Sequence, residues 1–189
     1  MSKKFKQKPN TKEEQKSNRQ LVIDSIEKYP GLRFFELKKQ TRLVNGVLQH
    51  HLNMHNKVKN IKIEYDNTTP RFYPTEINSK DSIILKRLRQ STTSRIITLL
   101  LKHECCTFAQ LVKYVKKSPA TISIYKNKLL ADGIIVGDTN ECANCLKSYN
   151  KIKYRLIDAE YAKLMVHEYG KNSLRKTVDN LSDVFLALR

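Results

Sequence analysis

Along most of the chain apolar residues recur every three or four positions, and in two places that rhythm gives way to strict alternation. The clearest helical stretch runs from Ser118 to Gly133. Ile122, Tyr125 and Leu129 fall on one face, and Ala120, Ser123, Ile124, Asn127 and Lys128 on the other. Ser118 is placed to cap the helix, since its hydroxyl oxygen can accept a hydrogen bond from an unpaired backbone N–H of the first turn. Pro119 takes the first helical position, where a missing N–H is no loss. Gly133 can close the helix in a left-handed conformation.

Earlier in the chain, Thr11-Lys12-Glu13-Glu14 has the spacing of a capping box and predicts a helix start. Leu21, Val22, Ile23 and Ile26 predict a short helix over 19–28, ended by Pro30-Gly31. Phe34, Leu37 and Thr41 mark a second helix. A turn at Arg42-Leu43-Val44 leads to Asn45 as N-cap of a third, running to about residue 58. Ile61, Ile63 and Tyr65 then alternate with Lys62 and Glu64, the mark of a half-buried strand. After a turn through Asp66-Asn67-Thr68-Thr69-Pro70, Arg71-Phe72-Tyr73 is the returning strand. A connecting helix is predicted over 78–90.

The same order then begins again: a helix over 94–103, a capping box at Thr107-Phe108-Ala109-Gln110, and a helix to about residue 115. Lys116-Lys117 forms the turn, and the Ser118 helix follows. Ile134-Ile135-Val136 and residues 152–156 supply two strands. A shift of 74 residues pairs Val22 with Ile96, Ile26 with Leu100, Phe34 with Phe108, Leu37 with Leu111, Leu48 with Ile122 and Ile61 with Ile135. Every pair is apolar and falls at the same place in the same element, so the chain is read as an internal duplication. Asp158 then caps a helix to about residue 169. A final stripe of Leu174, Val178, Leu181, Phe185 and Leu188 follows; it either packs on its own domain or, the expectation we favour, forms a homodimer seam.

Composition sharpens this picture. The 189 residues carry 36 Lys+Arg against 18 Asp+Glu, a formal net charge of +18. Such an excess repels itself unless a polyanion neutralises it; nucleic acid is the first candidate and an anionic membrane surface the second. No apolar run is long enough to span a bilayer, and the Lys-rich beginning lacks the apolar core of a signal peptide. The expected location is cytoplasmic and nucleoid-associated. Only 5 Gly and 5 Pro suit a mainly α chain with small β-hairpins.

Other chemistry finds less support. Cys142-Ala143-Asn144-Cys145 has metal-ligand spacing, and Cys105-Cys106 could complete a zinc site, although adjacent cysteines make an awkward tetrahedral pair. A thiol redox switch and no special role are the alternatives, and the four cysteines are expected to be thiols or ligands rather than disulfides. No cofactor is favoured. His51 and His55 share a helix face at i, i+4 and are read as hydrogen-bonded core residues. No phosphate-cradling, nucleophile-elbow or His-Glu-x-x-His string occurs, and no carboxylate pair stands out. An enzyme is not expected.

Each half resembles a winged helix-turn-helix domain of the kind found in prokaryotic, especially archaeal, transcription regulators. In the first half the resemblance rests on residues 30–37 (Pro-Gly-Leu-Arg-Phe-Phe-Glu-Leu) and 45–52 (Asn-Gly-Val-Leu-Gln-His-His-Leu). In the second it rests on residues 106–111 (Cys-Thr-Phe-Ala-Gln-Leu) and 118–123 (Ser-Pro-Ala-Thr-Ile-Ser), which are similar to the arsenic-repressor-like and multiple-antibiotic-resistance-regulator-like pattern. His55 stands where that pattern usually has a Leu, and Lys126 stands where the first half has Leu52. The resemblance implies a three-helix core with a hairpin wing, the third helix reading the major groove of double-stranded DNA and the wing touching backbone or minor groove. It does not carry a metal site, because the arsenic repressors' Cys-x-Cys helix motif is absent.

The expected organisation is a basic arm over 1–17, winged-helix domains over 18–76 and 91–157, a linker helix over 77–90 and a C-terminal extension over 158–189. The expected function is sequence-specific regulation of transcription. The alternatives are a non-specific architectural DNA- or RNA-binding protein and a winged-helix protein adaptor. Base contacts are expected from Gln49, His50, Asn53, Thr121, Ser123 and Asn127, because carboxamides, hydroxyls and imidazoles can read base edges. Phosphate contacts are expected from Arg42, Arg71, Lys116, Lys117, Lys126, Lys128 and Lys153, with Arg71 the candidate for minor-groove insertion.

Overall fold

A computed structural model of the chain describes residues 12–139 and 151–170. The described part is mainly helical, with two small antiparallel sheets of three strands each. The chain divides into two compact units, Met1–Ile77 and Asn78–Arg189. The predicted dimer stripe beyond residue 173, the metal-spaced cysteines Cys142 and Cys145, and most of the basic arm lie outside the described residues.

In the first unit α1 (Lys12–Lys28) is one continuous helix. It begins where the capping-box spacing at Thr11 predicts a helix start, and it joins the end of the expected arm to the helix predicted over 19–28. Gly31 turns the chain at φ +79°, a conformation glycine adopts without strain. Its N–H donates to Phe72 O at 2.7 Å. This close approach seats β1 (Leu32–Arg33). Next come α2 (Phe34–Thr41), α3 (Asn45–Lys57), β2 (Ile61–Asp66) and β3 (Thr69–Pro74). The N-cap of α3 is Val44, not Asn45, and no side chain caps it. Val22, Ile26, Leu37, Leu48, Leu52, Ile61 and Phe72 form the core, with Leu32 at its edge.

The second unit opens with α4 (Ser79–Leu88), whose cap Asn78 accepts a hydrogen bond from Asp81 N. The segment read as a free linker is thus part of this unit: Ile84, Leu85 and Leu88 are all buried. Arg87 is buried too, paired with Asp132. There follow α5 (Ser91–His103), β4 (Cys105–Thr107), α6 (Phe108–Val115), α7 (Pro119–Ala131), β5 (Ile135–Asp138), β6 (Lys153–Leu156) and α8 (Ala159–Met165). Helix α8 runs on into a π-helical turn, Val166–Gly170. α5 starts three residues before its predicted boundary, because Thr92 and Thr93 are buried in its first turn.

The 74-residue shift holds in three dimensions. Leu37 and Leu111, Leu48 and Ile122, and Val22 and Ile96 are all fully buried. Asn60 N donates to His55 O at 2.9 Å, and Ile134 N donates to Leu129 O at 3.0 Å, closing α3 and α7 in the same way. Lys59 and Gly133 both take positive φ there, as do Arg42 and Lys116 in the preceding turns. The sheets have the same order, β1-β3-β2 and β4-β6-β5. The first strand of each was missed from sequence, since two or three residues are too few to show alternation.

The expectation about sulfur is overturned at Cys105, while Cys106 is a buried cysteine outside any disulfide, as expected. Cys105 is disulfide-bonded. The expected intracellular setting and the chain's size are the grounds for expecting thiols; a disulfide also needs two sulfurs at close range, which residue spacing does not show. Cys105 is buried on β4, opposite Arg155 of β6.

Candidate nucleic-acid interface

In each unit a short helix, a tight turn and a longer helix set up one exposed face. The turn after α2 is made by Arg42 (φ 60°) and the turn after α6 by Lys116 (φ 55°). Each donates its N–H back into the helix it ends, Arg42 to Lys38 O at 2.8 Å and Lys116 to Val112 O at 3.2 Å. A left-handed backbone disfavours any residue with a Cβ, yet both copies carry a cation there. Both side chains are exposed, as is Lys117.

Helix α3 buries Leu48, His51, Leu52 and His55 and turns Gln49, His50 and Asn53 outward. Gln49 Nε2 donates to Asn53 Oδ1 at 3.0 Å, so the two carboxamides are already oriented against each other. The two inward histidines behave as core residues. His55 Nε2 lies 3.1 Å from Arg19 O, and burial holds the imidazoles of His51 and His55 below their ordinary pKa, with His50 adding to the effect on His51.

Helix α7 is held by the cap read from its sequence. Ser118 Oγ accepts from Thr121 N at 3.3 Å, and Pro119 sits in the first turn. Ile122 and Leu129 are buried, while Ala120, Ile124 and Asn127 are exposed and Thr121, Ser123 and Lys128 are partly so. The shift that aligns the cores sets Asn53 on Asn127, Gln49 on Ser123 and His50 on Ile124. Neither α3 nor α7 contains a carboxylate, so nothing on either helix repels an anion.

Two expected phosphate contacts are corrected. Arg71 is 2% exposed. Its guanidinium donates to Gly31 O at 2.9 Å and pairs with Asp66 at 3.3 Å. Lys153 is also buried. Arg33 lies opposite Arg71 in one sheet and Thr107 opposite Lys153 in the other, so the two cations occupy equivalent sites. The reason is the unforeseen strand. A two-stranded hairpin would leave these side chains in solvent, but β1 and β4 make β3 and β6 central. Lys126 keeps partial exposure, with its Nζ 3.4 Å from Tyr154 Oη and within 6 Å of the Phe108 and Tyr154 ring centres. Lys128 lies over the Tyr125 ring and keeps partial exposure.

The alternation sets Tyr65 on the apolar side of β2 with Ile61 and Ile63, yet it is 68% exposed beside the hairpin turn, where the strand runs past the core. Arg33, opposite Arg71, keeps 42% of its side chain exposed and shares the Asp66 carboxylate. Among the described residues no group of three or more His, Cys, Asp or Glu is arranged to hold a metal ion. No described helix is long and apolar enough to cross a membrane. Comparison with protein-family models and with curated proteins finds no match to this chain.

Proposed function

We propose that the chain is a tandem winged helix-turn-helix protein that binds specific sites on double-stranded DNA and regulates transcription. The observation that carries this reading is the repeated exposed face: α3 and α7 each present short polar side chains around an equivalent asparagine, without a carboxylate, behind a turn built on a cation. An α-helix of that width fits the major groove, and a carboxamide can pair with adenine through N6 and N7. Arg42, Lys116, Lys117 and Lys128 take the phosphate contacts, and Gln49, His50, Asn53, Thr121, Ser123 and Asn127 face the bases. The first hairpin reaches the backbone through Tyr65, with Arg33 of β1 beside it, rather than through Arg71.

Selection of bound sequences from a random duplex pool tests this directly. A regulator prefers its selected site over random duplex by roughly 1,000-fold or more. Equal affinity for both would replace this reading with an architectural role. In a salt titration, a slope shallower than about two released ions would favour a protein adaptor instead.

A further inference from the structure

Ile124 stands out on the exposed face of α7. It is 57% exposed at mid-helix, on a surface otherwise made of Ala120, Ser123 and Asn127. β-branched residues are not favoured on a helix surface, and the sites around it are too short and polar to form the apolar centre of a protein interface. The major groove, by contrast, offers one apolar group, the 5-methyl of thymine. Asn127 lies one turn on from Ile124, at i+3 on the same face, so the two can meet neighbouring base pairs. The equivalent place on α3 is His50, whereas the asparagine is common to both helices.

Resting on the DNA-binding reading above, we propose that Ile124 is a specificity-determining residue that packs on a thymine methyl beside an adenine held by Asn127. His50 cannot duplicate that contact with an apolar side chain. The two units therefore share a preference for adenine and differ at the adjacent base pair.

The test uses the full chain and the duplex recovered from random-pool selection. Each thymine is replaced in turn by deoxyuridine, which removes the methyl and leaves the hydrogen-bonding edge intact. The wild-type protein should lose about fourfold in affinity at one thymine, the worth of one buried methyl. Ile124→Ala should bind more weakly than wild type and be indifferent to uracil at that position. His50→Ala should keep the discrimination there. Circular dichroism checks that both variants fold, which the exposure of the two side chains favours. A selected site that is insensitive to every methyl, that contains no thymine, or that stays methyl-sensitive in Ile124→Ala overturns the assignment while leaving DNA binding standing. Failure to select any site overturns both.

Discussion

Replacing Arg71 with methionine separates a structural cation from a phosphate-binding one. In the folded protein its guanidinium is 98% removed from solvent. It is anchored to Gly31 O at 2.9 Å and to Asp66 at 3.3 Å. Removing one partner of a buried pair typically destabilises by about 3–5 kcal/mol, because the remaining charge is left uncompensated. Here Asp66 is 12% exposed and still holds Arg33 at 3.3 Å, and methionine restores much of the lost packing. The low end, about 3 kcal/mol, is therefore expected. That is roughly a hundredfold in the folding equilibrium. Urea unfolding followed by circular dichroism would show it as a lowered midpoint at unchanged slope. A phosphate contact would behave otherwise, since its removal reduces the salt slope of duplex binding by about one ion and leaves stability alone. An Arg71→Met protein of wild-type stability whose salt slope falls by about one would refute the burial argument.

Other outcomes follow from local features. Gly31→Ala forces a Cβ to within 2.9 Å of the Tyr73 ring, which is fully buried, at φ +79°; about 1–2 kcal/mol of backbone strain alone should lower the melting temperature by several degrees. Gly46→Ala meets nothing within 4 Å and should raise stability by about 0.5–1 kcal/mol through helix propensity. His51 and His55 are held neutral by burial, with folded pKa values below the usual 6.5. The unfolded chain takes up their protons first, so stability is full above pH 6.5 and falls as the pH drops from there through the lowered folded values; His51→Gln combined with His55→Gln should flatten that part of a melting-temperature profile. Ser118→Ala removes the oxygen that accepts from Thr121 N and should cost about 1 kcal/mol in a urea titration.

Much of the architecture was legible because it is local. The cap at Ser118, the left-handed Gly133, the capping box at Thr107 and the six apolar pairs each depend on residues a few positions apart, and all are found as read. The inward placing of His51 and His55 followed from their sharing a face with Leu48 and Leu52. What escaped was set by distant partners. Arg71 reads as an exposed hairpin cation until a strand 38 residues earlier covers it, and Lys153 repeats the error for the same reason. The contact of the partly exposed Lys126 with Tyr154, 28 residues away, could not be read from spacing either. The disulfide at Cys105 likewise reflects spatial neighbours that spacing cannot reveal.

Two sheets of identical order within one chain raise the hazard of exchange, since misassembly between like repeats is a common failure of folding. The charges beneath the strands discriminate. If β4 were laid on β3, Thr107 would stand opposite Arg71 in place of Arg33. Asp66 would then lose one of its two guanidiniums. The buried Arg71, first taken for a DNA contact, thus favours the strand made in its own half, whose Arg33 shares Asp66 with it.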